Sequence, residues 1–219
     1  MMNRRDANLA LLSGAVLAAA PGLAAGQEAQ TRELPPPRSD GGQPLLRALS
    51  KRRSVRDYSS QPLPPQVLSD LLWTAFGINR PESGDRTAPS WRHAIEIEIL
   101  AATADGVWRY EPRPHRLTLH MPGDIRAQTG MQDFVATAPL NLLYVADGGR
   151  MKDASREEQR LYAYTDSGFI GQNVYLFCAS EELASVFRGS LDREKLARTL
   201  KLAPSRFVTY AQTVGYPRQ

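Results

Sequence analysis

Arg52-Arg53-Ser54-Val55-Arg56 places three guanidinium groups and a hydroxyl within five residues. Arginine presents a planar fork of donors that stays charged at any working pH, and the fork matches a phosphate monoester or a carboxylate. Ser54 adds a donor between the arginines. The bland alternative for so short a basic string is a solvated patch. Three other stretches carry residues of interest. Arg86-Thr87-Ala88-Pro89-Ser90-Trp91-Arg92-His93 is a polar loop between a predicted helix and a predicted strand, a common place for ligand contacts. Ser167-Gly168-Phe169-Ile170-Gly171-Gln172-Asn173 sets glycines inside a helical stretch, where they lower stability and suit close packing against another helix or a ligand. Phe187-Arg188-Gly189-Ser190 precedes a helix N-terminus, which is either an anion site or an ordinary cap.

The single cysteine, Cys178, lies among Leu176, Phe177 and Ala179, without a basic neighbour to favour its thiolate, so it reads as a core residue. One cysteine excludes an intrachain disulfide, and the three histidines, His93, His115 and His120, lack metal-ligand spacing, so no metal is expected. There is no Ser-His-Asp ordering, no Gly-rich Rossmann or P-loop string and no evident carboxylate pair. This equipment holds an anionic ligand but lacks acid–base or nucleophilic machinery, which suits an enzyme whose cofactor does the chemistry.

These residues need a scaffold, and 219 residues with 42% hydrophobic content provide for one or two ordinary globular domains. A net charge of +4 does not demand a nucleic-acid partner. Residues 1–26 read as an export signal: Arg4-Arg5, an apolar stretch, then small residues. The paired arginines point to the twin-arginine route, and the alternative is a Sec signal whose arginines merely supply positive charge. A periplasmic or otherwise exported protein follows, with no membrane insertion after cleavage. Residues 27–43, with three consecutive prolines and Ser39-Asp40-Gly41-Gly42, read as linker. Residues 44–219 form the folded domain.

Within that domain the pattern predicts one or two helical turns at 44–49 and a helix at 65–76, with Leu68, Leu71, Leu72, Ala75 and Phe76 on one face. A loop at 79–92 precedes an alternating strand at 95–100, followed by strands at 107–110 and 116–120. Helix is expected at 124–136, a buried strand at 140–146, and a long helical stretch at 153–183 broken near Gly168 or Gly171. A strand at 185–187, a helix at 190–200 capped by Ser190, and a strand at 207–214 complete the order. Helices and strands mix without βαβ alternation, which gives an α+β fold around one sheet.

Several segments coincide in order: the arginine string, Thr87-Ala88-Pro89-Ser90, Asp166-Ser167-Gly168, Gln172-Asn173, Val186-Phe187-Arg188-Gly189, and Thr213-Val214-Gly215-Tyr216-Pro217. Over about residues 46–217 the chain resembles the FMN-dependent nitroreductase family, on the branch of the azoline-oxidising SagB-type dehydrogenases. The resemblance implies a central, mostly antiparallel sheet flanked by helices, and a homodimer with FMN at the subunit interface. By position it assigns Arg52, Arg53, Ser54 and Arg56 to the phosphate and ribityl chain. Pro89 and Ser90 fall to the loop beside the ring, and Arg188 and Gly189 to a segment whose backbone approaches the flavin. Arg218 falls to the phosphate, and His93 stands where relatives often carry a flavin-bonding Asn. The expected activity is that of an exported FMN-dependent oxidoreductase passing hydride or electrons to or from a small organic substrate, with its electron donor open. The alternatives are a non-catalytic flavin- or anion-binding exported protein, and a polyanion binder that uses the basic cluster.

Overall fold

In a computed structural model, residues 29–218 are described. The expected signal segment and the first linker residues lie outside them. In chain order the elements are β1 (Thr31–Glu33), α1 (Leu45–Lys51), α2 (Pro65–Phe76), β2 (Ile78–Arg80), β3 (Asp85–Arg86), β4 (Ile97–Thr103), β5 (Gly106–Glu111), β6 (Arg116–Pro122), β7 (Leu140–Asp147), α3 (Arg156–Ser180), β8 (Ala184–Arg188), α4 (Arg193–Thr199) and β9 (Arg206–Gly215). Seven strands form one sheet in the order β1-β6-β5-β4-β7-β9-β8, every neighbouring pair antiparallel. β2 and β3 make a separate hairpin. The α+β architecture expected from the sequence is the one observed.

The apolar run of β7 sits at the centre of the sheet, between β4 and β9, and is buried along nearly all its length. α2 begins with Pro65, whose missing N–H would be unpaired there anyway, and ends at Gly77. Its Leu71, Leu72, Ala75 and Phe76 are buried in the main core, with Leu68 packed against them. α3 opens with a capping box, Ser155 bonding the Glu158 N–H and Glu158 bonding back. Its buried face carries Ala163, Asp166, Ser167, Ile170, Gly171, Val174 and Cys178 at three- and four-residue spacing. Burial pushes the Cys178 thiol up to about 12, so it stays an inert core residue.

Several expectations change: the loop expected at 79–92 carries the β2–β3 hairpin, and the strand expected at 95–100 begins two residues later, at Ile97. Part of the expected linker is built into the fold. Thr31, Arg32 and Glu33 pair with Thr118, Leu117 and Arg116 on the edge of the sheet. The Arg38 N–H and guanidinium both bond Asp70, at 2.8 and 2.7 Å. Leu34 packs against the main core, and the polar, proline-rich remainder hydrogen-bonds to an open strand edge and a helix side. Residues 124–136 form two 3-10 turns, Arg126–Gln128 and Asp133–Ala136, in place of one helix. The cap of α4 is Asp192, not Ser190. α3 runs unbroken through both glycines.

The two glycines of α3 differ in their surroundings. A Cβ at Gly171 would fall 2.4 Å from ring atoms of Phe187, whereas one at Gly168 meets nothing within 4 Å. Gly171 therefore allows the helix to lie on the β8 side chain. Gly171→Ala is expected to destabilise by about 1–3 kcal/mol through overpacking. Gly168→Ala should stabilise by up to about 1 kcal/mol, because alanine favours a helix interior. Thermal melts of the two variants check this, and equal shifts would contradict the packing role.

Candidate active site

The arginine string follows α1 as an extended segment along the outer edge of the sheet. Val55 N–H donates to the Ser185 carbonyl of β8 at 2.9 Å, and the Tyr58 hydroxyl donates back to the Val55 carbonyl at 2.6 Å. Ser54 Oγ lies 2.7 Å from the Tyr175 hydroxyl of α3, which also accepts the Phe187 N–H at 2.8 Å. Tyr175 thus ties α3 and β8 to the arginine segment. The Arg52 guanidinium carbon lies 5.2 Å from the centre of the Tyr175 ring.

Beside this segment is an open cavity of about 600 Å³, whose wall includes Lys51, Arg52, Arg53, Tyr175, Leu183 and Ala184. Among the described residues, Lys51 approaches Glu182 at 3.5 Å, whereas Arg52, Arg53 and Arg56 meet no carboxylate within ion-pair distance. Uncompensated guanidinium groups at the mouth of a cavity form an anion site. The C-terminus reaches the same place. Pro217 bridges to Tyr58, and Arg218 pairs with Asp57 at 3.2 Å and donates to the Tyr58 carbonyl at 3.4 Å. Arg218 thereby meets the chain at Asp57 and Tyr58, directly after Arg56.

The loop expected to meet a ring lies elsewhere on α3. Trp91 N–H donates to Asp166 Oδ2 at 2.8 Å, and the Trp91 ring packs 5.8 Å from that of Tyr162. Ser90 Oγ accepts the Ile95 N–H at 2.8 Å, closing a tight turn. Pro89 is exposed and Ser90 half-buried. Asp166 and Tyr175 are nine residues apart, so this loop and the arginine segment lie roughly 14 Å apart along the helix axis. His93 points outward, with a side chain 82% exposed, and its Nδ1 lies 3.0 Å from Asp85.

The Arg188 side chain turns into the sheet. Its guanidinium is buried on the sheet face opposite Phe187, and only 3% of the residue is exposed. It donates to Thr213 Oγ1 at 3.0 Å, the Thr129 carbonyl at 2.9 Å and Asn141 Oδ1 at 3.1 Å. Burial pulls it down to about 10 from an ordinary value above 12. The side chain is a brace within the sheet. Gly189 beside it is exposed, and a Cβ there would make only ordinary contacts with Tyr210 and Arg193.

A model of the nitroreductase family matches residues 49–216. The chain belongs to the nitroreductase family. A Methanocaldococcus jannaschii protein named as a nitroreductase is 30% identical over 164 residues, spanning 70% of this chain and 82% of that one. A nitroreductase crystal structure from Ralstonia eutropha JMP134 is 39% identical, covers 86% of this chain and 90% of its own, and superposes with a TM-score of 0.83. The NADPH:FMN oxidoreductase of Vibrio harveyi, at 20% identity, a TM-score of 0.61, and coverage of 80% of this chain and 69% of its own, shares the fold. This chain is a nitroreductase-family oxidoreductase.

Two features of the site were missed from the sequence. Tyr175 carries no motif of its own; its signal was a phenol on the helix face that also bears Cys178. Asp166 sits in the Asp166-Ser167-Gly168 string that carries the resemblance, and nothing in that string marks its bond to the Trp91 N–H.

Proposed function

We propose that the protein is an exported, FMN-dependent oxidoreductase that acts as a homodimer on a small organic substrate. The observation that carries this reading is the arginine segment: Arg52 and Arg53 line the cavity, Arg56 follows them exposed, none of the three has a carboxylate partner among the described residues, and Arg218 pairs with Asp57, next in the chain to Arg56. The donor set suits a phosphate monoester, since it offers several charged forks, and the acid on the cavity wall, Glu182, lies beside Lys51 and meets none of the three arginines among the described residues. Bound there, FMN would supply two-electron chemistry by accepting and releasing a hydride. The arginines would hold its phosphate, Ser54 and Tyr175 would offer hydroxyls to the chain between phosphate and ring, and Pro89 and Ser90 would lie by the ring. His93, turned outward to Asp85, is not suited to a flavin contact within its own protomer.

The dimer has support on α3. Leu161 and Phe169 are 60% and 46% exposed, and with Thr165, Gly168 and Gln172 they form one stripe opposite the buried face. A second copy laid on that stripe would cover apolar surface that water otherwise meets. The SagB-type branch rests on the ordered motifs. Export rests on the leader sequence, and the twin-arginine route would carry a folded, flavin-loaded protein.

One experiment addresses these points together. Protein recovered from the periplasm of an expressing bacterium is expected to be yellow, to hold about one FMN per chain and to scatter light as a dimer. Reduction by a panel of donors, followed by reoxidation on adding an acceptor, would separate catalysis from mere binding. Colourless protein that fails to take up added FMN overturns the flavin reading. A yellow protein confined to the cytoplasm overturns export alone.

A further inference from the structure

A second polar feature lies beneath the Pro89–His93 loop. Glu96 is fully buried at the foot of β4, and neither of its carboxylate oxygens has a hydrogen-bond partner among the described residues. It faces the carboxyl of Asp166, which is 5% exposed. Two carboxyl groups buried side by side do not both ionise. An un-ionised carboxyl is a donor, so one proton between them leaves neither oxygen pair uncompensated. Asp166 is the natural acceptor, since it already takes the Trp91 N–H. Glu96 is the natural donor: burial, and then its contact with Asp166, push its carboxyl up to about 8. Asp166 faces it from α3, Arg150 reaches the adjoining Ile95 carbonyl from the turn after β7, and Ser90 and the Glu96 backbone act in the opposite direction to Asp166.

The turn above this pair is strained. Arg92, His93 and Ile95 have φ of 43, 58 and 51°, in the left-handed region that disfavours side chains with a Cβ. Such a turn persists only where its surroundings over-determine it. The pins from side chains are Trp91 N–H on Asp166, Ile95 N–H on Ser90 Oγ, and the Arg150 guanidinium donating to the Ile95 carbonyl at 2.8 Å from the turn after β7. We propose that Glu96 and Asp166 share a proton, and that the resulting acid pair is a positioning device holding the Ser90–Ile95 turn, and with it the Pro89–Ser90 edge, in the shape that receives the flavin ring. The receiving role rests on the FMN reading above; the shared proton does not. When Glu96 ionises, two negative charges meet beneath Trp91 and the pin weakens.

Glu96→Gln keeps a donor toward Asp166 at every pH, and Glu96→Ala removes it. Infrared spectra at pH 7 should show the carbonyl band of an un-ionised carboxylic acid in the wild type, and this band should disappear in Glu96→Gln. Without added flavin, the wild-type thermal midpoint should fall relative to Glu96→Gln as pH rises from 5 to 8 and then level. The reason is that the unfolded chain releases this proton near the ordinary Glu value while the folded one retains it until about 8. FMN affinity of the wild type should drop about fivefold between pH 8 and 9, following the protonated fraction of the group. Glu96→Gln should keep its affinity across that range, and Glu96→Ala should be weak throughout. The absence of the carboxylic band, or parallel melting curves for wild type and Glu96→Gln, overturns the shared proton. An equal pH response of FMN affinity in those two proteins overturns the positioning role. Failure of every form to bind FMN overturns the flavin reading and the positioning role with it, while the band and the melts still judge the pair.

Discussion

Arg188→Ala is expected to lower stability by about 3–5 kcal/mol, a drop of roughly 10 °C or more in thermal midpoint for a chain of this size. Three acceptors fixed in the sheet and its adjoining turns, Thr213 Oγ1, Asn141 Oδ1 and the Thr129 carbonyl, would lose their donor together. Each buried acceptor left unpaired costs about 1–3 kcal/mol. Asn141 and Thr213 would keep the 2.6 Å bond between them, and Asn141 its bond to Val135, which is why the loss is smaller than three such penalties. A cavity would add to the damage, since the side chain fills space between Gly130 and Phe134. Arg188→Lys should recover little, because one ammonium cannot reproduce three donors in a plane. If Arg188→Ala melts like the wild type but binds flavin poorly, the side chain works on the ligand and the brace is wrong.

The same residue shows what the sequence hides. Arg188 follows Phe187 in a strand, and alternation alone sends the two side chains to opposite faces. Nothing local tells which face holds acceptors, because Asn141 lies 47 residues away and Thr129 59 residues away. Glu96 was concealed in another way. Ile95-Glu96-Ile97-Glu98 alternates, so both glutamates read as belonging to a wet face. The left-handed Ile95 breaks that register before β4 begins, leaving Glu96 buried while Glu98 meets Arg150 and Arg206. Local signals served better. α2 has Pro65 at its start, Gly77 at its end and one apolar stripe, and each lies within a helical turn of the residue it governs. The arginine segment was legible because its chemistry is contiguous. Its meeting with the C-terminus required only that the first and last parts of the domain come together, which the Tyr58–Pro217 bridge achieves. β1 was invisible because three polar residues carry no pattern; its strand character is imposed by the open edge of β6.

Paired substitution of Arg52 and Arg56 by alanine is expected to weaken FMN by more than a hundredfold and to leave riboflavin nearly unaffected. Riboflavin lacks the phosphate, so it reports whatever the ring and ribityl chain contribute without it. One charge-assisted hydrogen bond is worth about 1.5–3 kcal/mol, hence about tenfold to a hundredfold for either single change. The two arginines share one ligand group, so their losses need not add, and the double variant sets the lower bound on their joint contribution. Folding should be little affected. Among the described residues neither guanidinium has a carboxylate partner, and Arg56 is exposed; the contact at risk is the packing of Arg52 over Tyr175, worth about 0.5–1 kcal/mol at such a site. Salt gives an independent check, since raising ionic strength should weaken wild-type FMN binding and have much less effect on riboflavin. A parallel loss of both ligands in the double variant, measured by fluorescence titration alongside an unchanged melt, would show that the arginines shape the cavity instead of pairing with phosphate.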